Sequence, residues 1–214
     1  MCEVAGKNFI TKRLVLMTQK TTQLLDNIAE VSASYPFRSR VEDSPDGTLY
    51  VLQVQNITAA NEILWDETVL TEDFPSAEKY LVSHGDILFM LRGPGYRAIY
   101  LNKVEERAVA STQFFQIRVT DPSIILPEFL AWQMNQAPVK QYIESMEFGS
   151  TIRTIRIADL KRMPIVIPSI ERQNELISLG FSINRKNTLL MKLMELNLEF
   201  MASVAFKEVS PNTL

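Results

Sequence analysis

The sequence predicts a mixed α+β chain, α/β in the broad sense: one compact domain with a mixed sheet, followed by a long coiled-coil-like helix. Three observations carry this. Between Leu49 and Val119, short runs rich in β-branched and aromatic residues alternate with Gly, Pro and Asp turns, the pattern of strands. From Pro127 the apolar period lengthens to that of a helix. From Ser169 to Phe206 a helical pattern runs without a proline.

Residues 1–20 are polar and weakly patterned and read as a lead-in. Leu24, Leu25, Ile28 and Val31 fall near one helical face and predict a short helix. Pro36 ends it by forcing Tyr35 out of the α region. Ser44-Pro45-Asp46-Gly47 is a turn, and Leu49–Val54 a strand. Residues 55–82 read as a long polar connection holding Trp65 and Phe74. Asp86–Arg92 is a buried strand, Gly93-Pro94-Gly95 a sharp turn, and Tyr96–Leu101 the returning strand of a hairpin. Ala108–Ala110 and Phe114–Val119 are two more strands. Pro127 and Pro138 suit the first turns of two helices, the second running through Met146 to a stop at Gly149. Residues 151–168 read as strand, short helix and strand. Ser169 is an N-cap candidate for the last helix, and Glu171 complements its dipole. The expected divisions are a lead-in 1–20, a domain 21–168, a helix 169–206 and a tail 207–214.

The last helix would be about 57 Å long at about 1.5 Å per residue. Leu176, Leu179, Ile183, Leu190, Leu193, Leu196 and Phe200 form a broken heptad seam, weakened by Gly180, Asn184 and Asn187. Two readings stay open, a helix folded back on its own domain and a helix paired with another helix or subunit. The length favours the second.

At 214 residues and 46% apolar composition, the chain can bury a sizeable core. No apolar run approaches the roughly 18 residues of a membrane span, and no secretory stretch follows Met1. Cys2 is the single cysteine, so no disulfide forms within the chain, which suits a reducing cytoplasm. Cys2 and His84 alone cannot supply the three or four ligands of a cysteine–histidine metal site. The net charge of −3 hides an uneven distribution: residues 41–84 carry nine acidic side chains and one basic, while residues 85–165 carry ten basic and eight acidic. A basic surface outside the acidic segment remains compatible with nucleic acid, because local potential governs binding.

Catalytic signatures are missing. Gly93-Pro94-Gly95 belongs to neither nucleotide fingerprint, no nucleophile elbow occurs, and one histidine leaves little room for a triad. Asp46 and the Asp159-Leu160-Lys161 run superficially suggest a metal-dependent nuclease. Asp46 is better explained by its Pro-Asp-Gly turn, and Asp159 by an exposed helical position. No covalent chemistry, metal or cofactor is expected.

Several pieces then occur in a specific order: Leu25-Asp26-Asn27-Ile28-Ala29-Glu30, Tyr35-Pro36-Phe37-Arg38, Gly85-Asp86-Ile87-Leu88-Phe89 with Arg92-Gly93, and Ala108-Val109-Ala110-Ser111. Phe148-Gly149-Ser150-Thr151, Ile165-Val166-Ile167-Pro168 and Glu171-Arg172-Gln173 complete the series. Each piece alone is common; their order and spacing are specific. From about Leu24 to Phe206 the chain resembles the DNA-specificity (S) subunit of type I restriction-modification systems, as one target-recognition domain with its spacer helix. The resemblance implies a non-catalytic recognition domain that binds double-stranded DNA and a DNA methyltransferase subunit and, through it, a restriction endonuclease subunit. Typical S subunits carry two recognition domains and two long helices, and this chain has room for one of each. A half-size subunit that forms a homodimer through the terminal helix would read a palindromic split site. A truncated product is the alternative, as is a protein-interaction scaffold that does not bind DNA.

Under this resemblance three groups are candidates for the DNA face. Arg92, Tyr96 and Arg97 flank the hairpin turn, and arginine's fork matches guanine O6 and N7. Arg38 and Arg40 follow the Tyr-Pro-Phe bend. Ser150, Thr151, Arg153 and Arg156 offer hydroxyls and guanidiniums to phosphate. Each group has a structural counter-reading: a salt bridge under the turn, solvated loop arginines, or a helix cap before a polar strand. Lys103 and Arg107 are weaker candidates.

Overall fold

The first strand closes on the last. In the computed structural model, which describes residues 20–37, 41–91, 96–104, 107–146 and 155–209, β1 (Thr21–Leu24) pairs antiparallel with β9 (Pro164–Ile167). Leu25 N–H then donates to Met163 O at 2.9 Å. The helix expected over 24–31 is instead a 3-10 turn, Leu25–Asn27, leading into β2 (Ala29–Ala33). Leu25 and Ile28 are buried by the tight turn, and Ala29 and Val31 by strand alternation. A turn followed by a period-2 segment thus imitates a helical face. Leu24, which that helix would have buried, is 45% exposed.

β2 is one edge of a four-stranded antiparallel sheet of order β2-β8-β5-β6, with β5 Ile87–Met90, β6 Ala98–Tyr100 and β8 Phe114–Val119. Every residue of β5 is buried, so the strand is covered on both faces, as its unbroken apolar run requires. Leu88 and Met90 join a core with Leu52, Ile57, Ile99, Leu101 and Phe114. Ile87 and Phe89, on the opposite face, are buried with Ile117.

A three-stranded sheet supplies the mixed character. β3 (Leu49–Leu52) runs antiparallel to β4 (Val69–Thr71) and parallel to β7 (Ala108–Ala110). β4 lies within the stretch expected to be a polar connection. It is three half-exposed residues at an edge, too short for a periodic signal. Asp43 Oδ1 accepts from Leu70 N–H at 3.0 Å, and Ser44 N–H donates to Leu70 O at 2.8 Å, which ties the preceding turn to this edge. Gly47 is needed there, since a Cβ would lie 2.8 Å from both Thr71 N and Thr71 O.

The helices are α1 (Pro127–Met134), α2 (Ala137–Ser145), α3 (Ile157–Lys161) and α4 (Ile170–Val209). Pro127 and Pro138 occupy the first turns of α1 and α2, as expected. The chain divides into two units between Glu175 and Leu176. The first turn of α4 belongs with the domain because Gln173, fully buried, clamps it. Its Oε1 accepts from Leu126 N–H at 2.8 Å, and its Nε2 donates to Ile124 O and Pro168 O at 2.9 Å. Glu171 has its pKa lowered by its own backbone N–H and then by the Ser169 hydroxyl. From Leu179 to Phe206 the large apolar side chains of α4 are exposed.

Candidate nucleic-acid interface

The β5–β6 hairpin is anchored at its base by Asp86. Gly85 precedes it at φ 91°, a region glycine enters without strain. The Asp86 residue is 1% exposed, and its carboxylate is saturated with donors. Oδ1 accepts from Arg118 Nε at 2.7 Å. Oδ2 accepts from Arg118 Nη2 at 2.7 Å, Gln116 Nε2 at 2.8 Å and Ser83 N–H at 2.7 Å. The bond to Asp86 raises the Arg118 pKa, against partial burial. A buried carboxylate is tolerated when it is paired and bonded in this way.

At the other end of the hairpin, Met90 N–H donates to Arg97 O and Leu91 N–H to Gln113 O, both at 2.8 Å. Tyr96 does not take the outward position expected of it. It is buried and stacks on Phe89, with ring centroids 5.8 Å apart and planes 5° apart. The apolar ring gains more from the core than from the surface. Arg97 is half-buried and braces the neighbouring turn, with Nη1 donating to Thr58 O at 3.0 Å and Asn61 Oδ1 at 3.1 Å. Asn61 holds the left-handed conformation, φ 64°, that lets residues 58–62 turn back.

Arg156 precedes α3, and its Nε donates to Asp159 Oδ2 at 2.8 Å while its side chain stays 64% exposed. Asp159 is itself buried, not exposed as its helical position suggested, and its carboxylate is paired with Arg156. Arg107 pairs with Asp73 at 2.8 Å and with Glu78, and the bond to Glu78 leads in raising its pKa. That explains Arg107 as a surface clamp. Arg38, Arg40, Arg92, Ser150, Thr151 and Arg153 lie outside the described residues.

Sequence reasoning missed the side-chain amides that finish sheet edges. Asn135 accepts from Ala98 N–H at 3.0 Å and donates to Ala98 O at 2.7 Å, serving as one more strand residue beside β6. Gln133 does the same for β9, donating to Val166 O at 2.8 Å and accepting from Val166 N–H at 3.2 Å. These bonds satisfy edge groups that would otherwise invite pairing. They also fix α1 against the strands that carry the hairpin and α3.

Electrostatics divide the surface. All nine acidic residues of the segment 41–84 are exposed, in the segments before β3, between β3 and β4, and after β4. A polyanion is repelled there and left with the remaining surface. Among the described residues no cluster of His, Cys, Asp or Glu fits a metal ion, and no helix is long and apolar enough to cross a membrane.

The profile of the family described as "Type I restriction modification DNA specificity domain" matches residues 21–196. The chain belongs to this family. The match covers the domain and most of α4, as the ordered series of sequence pieces implied. No curated protein matches the chain. Solved structures agree on the fold. A type I restriction-modification S subunit from M. genitalium aligns at 17% identity and TM-score 0.56, over 91% of this chain and 47% of its own. The HsdS subunit from Thermoanaerobacter tengcongensis aligns at 17% identity and TM-score 0.62, over 92% and 50%. A chain from a structure concerned with complex assembly and conformational transition of the type I R-M system aligns at 12% identity and TM-score 0.63, over 99% and 54%. This specificity-domain chain thus spans about half the length of the structures it matches.

Proposed function

We propose that this chain is the sequence-reading part of a type I restriction-modification complex, in the form of a half-subunit. It directs a DNA methyltransferase subunit, and through it a restriction endonuclease subunit, to a split DNA site. Residues 21–168 form the recognition domain, and residues 169–206 the spacer and pairing helix. The carrying observation is the family match over residues 21–196 in a chain about half as long as its structural relatives.

Base and phosphate contacts fall to Arg38, Arg40, Arg92, Ser150, Thr151, Arg153 and the exposed part of Arg156. Arg97 and Tyr96 act one step back, Arg97 bracing the turn 58–62 and Tyr96 packing on Phe89. The acidic segment faces away from the duplex. No step of covalent chemistry is assigned to this chain; methyl transfer and cleavage belong to the partners. Leu176, Leu179, Ile183, Leu190, Leu193, Leu196 and Phe200 supply the apolar contacts between two copies.

The second reading, a scaffold that does not bind DNA, is favoured by the nine exposed acids. The test is to purify a tagged chain from its host and identify the companions by mass spectrometry. The recovered complex is then titrated with duplex DNA at several salt concentrations. A methyltransferase companion and a steep fall of affinity with salt are expected. Recovery of unrelated proteins with no salt-dependent DNA binding would overturn the reading in favour of the scaffold.

A further inference from the structure

Among the described residues of α4, forty residues long, Gln173 is the one that is buried. It is also the one whose side-chain hydrogen bonds reach beyond the helix. The other side-chain hydrogen bonds of α4 join residues three or four apart along it. Two partners of Gln173, Leu126 N–H and Ile124 O, lie in the segment that opens α1. The third, Pro168 O, lies between β9 and α4.

α1 is bonded at its far end as well. Asn135 holds both backbone groups of Ala98 in β6, and Gln133 holds those of Val166 in β9. A path of side-chain amides thus runs from the first turn of α4, along about 12 Å of α1, to the β5–β6 hairpin. At the α4 end the covalent link is narrow. Ser169 already belongs with the helix, since its carbonyl accepts from Gln173 N–H at 2.9 Å. Between Ile167 of β9 and Ser169 only Pro168 intervenes, and element-terminal residues of this kind are where hinges lie.

We propose that Gln173 is a positioning residue for DNA recognition: its amide fixes the direction in which the first turn of α4 leaves the domain, and so sets the number of base pairs between the two halves of the site. The inference rests on the half-subunit reading above and adds the residue that sets the spacing. A buried amide needs a donor and an acceptor together, so its three bonds define one orientation. One base pair of spacer moves a half-site by about 3.4 Å along the duplex and about 34° around it. Two copies share that change at about 17° each, a hinge motion that the bonds of Gln173 oppose.

The test reads the host's methylated motif with the gene deleted and then restored as wild type, Gln173→Met, Gln173→Ala or Asp86→Asn. Gln173→Met keeps the length of the side chain and removes all three bonds. Asp86→Asn weakens a network that contains no residue of α4. The wild type is expected to direct one split motif of a single spacer length. Both Gln173 variants are expected to methylate the same half-sites at spacers one base pair shorter and longer as well. Asp86→Asn is expected to lower methylation and keep the spacer. Gln173 variants that keep the single spacer, at full or reduced methylation, overturn the positioning role. Loss of all methylation by both, while Asp86→Asn retains it, overturns it too, since the amide then serves folding. A wild type that directs no split motif overturns the half-subunit reading, and this inference with it.

Discussion

Replacing Asp86 with Asn removes the charge at the base of the hairpin while keeping its shape. The carboxylate receives two donors from Arg118, one from Gln116 and one from the Ser83 backbone. An amide offers one acceptor oxygen, and its NH2 must face either Arg118 Nε or the three donors at the Oδ2 position. Hydrogen bonds to a charged group contribute about 1.5–3 kcal/mol each, and breaking a buried pair costs about 3–5 kcal/mol. The Arg118 side chain is 50% exposed, so water recovers part of its solvation and the lower end applies, about 3 kcal/mol. At about 2–4 °C per kcal/mol for a domain of this size, the melting temperature should fall by about 6–12 °C. Tryptophan fluorescence reports this unit selectively, because Trp65 and Trp132 both lie in it. A fall under about 2 °C would refute the reasoning that this network holds the hairpin.

Other substitutions test other parts. Gly47→Ala drives a Cβ into the Thr71 backbone and should destabilise by about 1–3 kcal/mol, read from the urea midpoint. Arg153→Ala should weaken binding to all duplexes about equally and lower the salt slope by about one, if its contact is to phosphate. Leu193→Asp should reduce the mass measured by light scattering from dimer to monomer, and undiminished mass would remove Leu193 from the pairing face.

Local signals were legible where they were strong and self-contained. The fully buried β5, the hairpin return to β6, and the prolines opening α1 and α2 all stand where the sequence places them. The β1–β2 region was not legible, because a 3-10 turn joined to a strand spaces Leu25, Ile28 and Val31 as a helix does. β4 was hidden for a different reason: its pairing is set by β3, some twenty residues earlier, and not by its own three residues. Nor could local pattern show that Asn135 finishes β6 or that Gln173 clamps residues 124–126, since each depends on a partner more than thirty residues away. Tyr96 shows the limit at the candidate site. Its place beside two arginines suggested a surface role, and Phe89 drew it into the core.

The most direct test of the central claim is the host's DNA methylation pattern with and without this gene. The account expects one split, palindromic motif to be methylated when the gene is present and unmethylated when it is deleted. It also expects restoration by the intact gene and not by one encoding Leu193→Asp. A methylation pattern unchanged by the deletion would contradict the account.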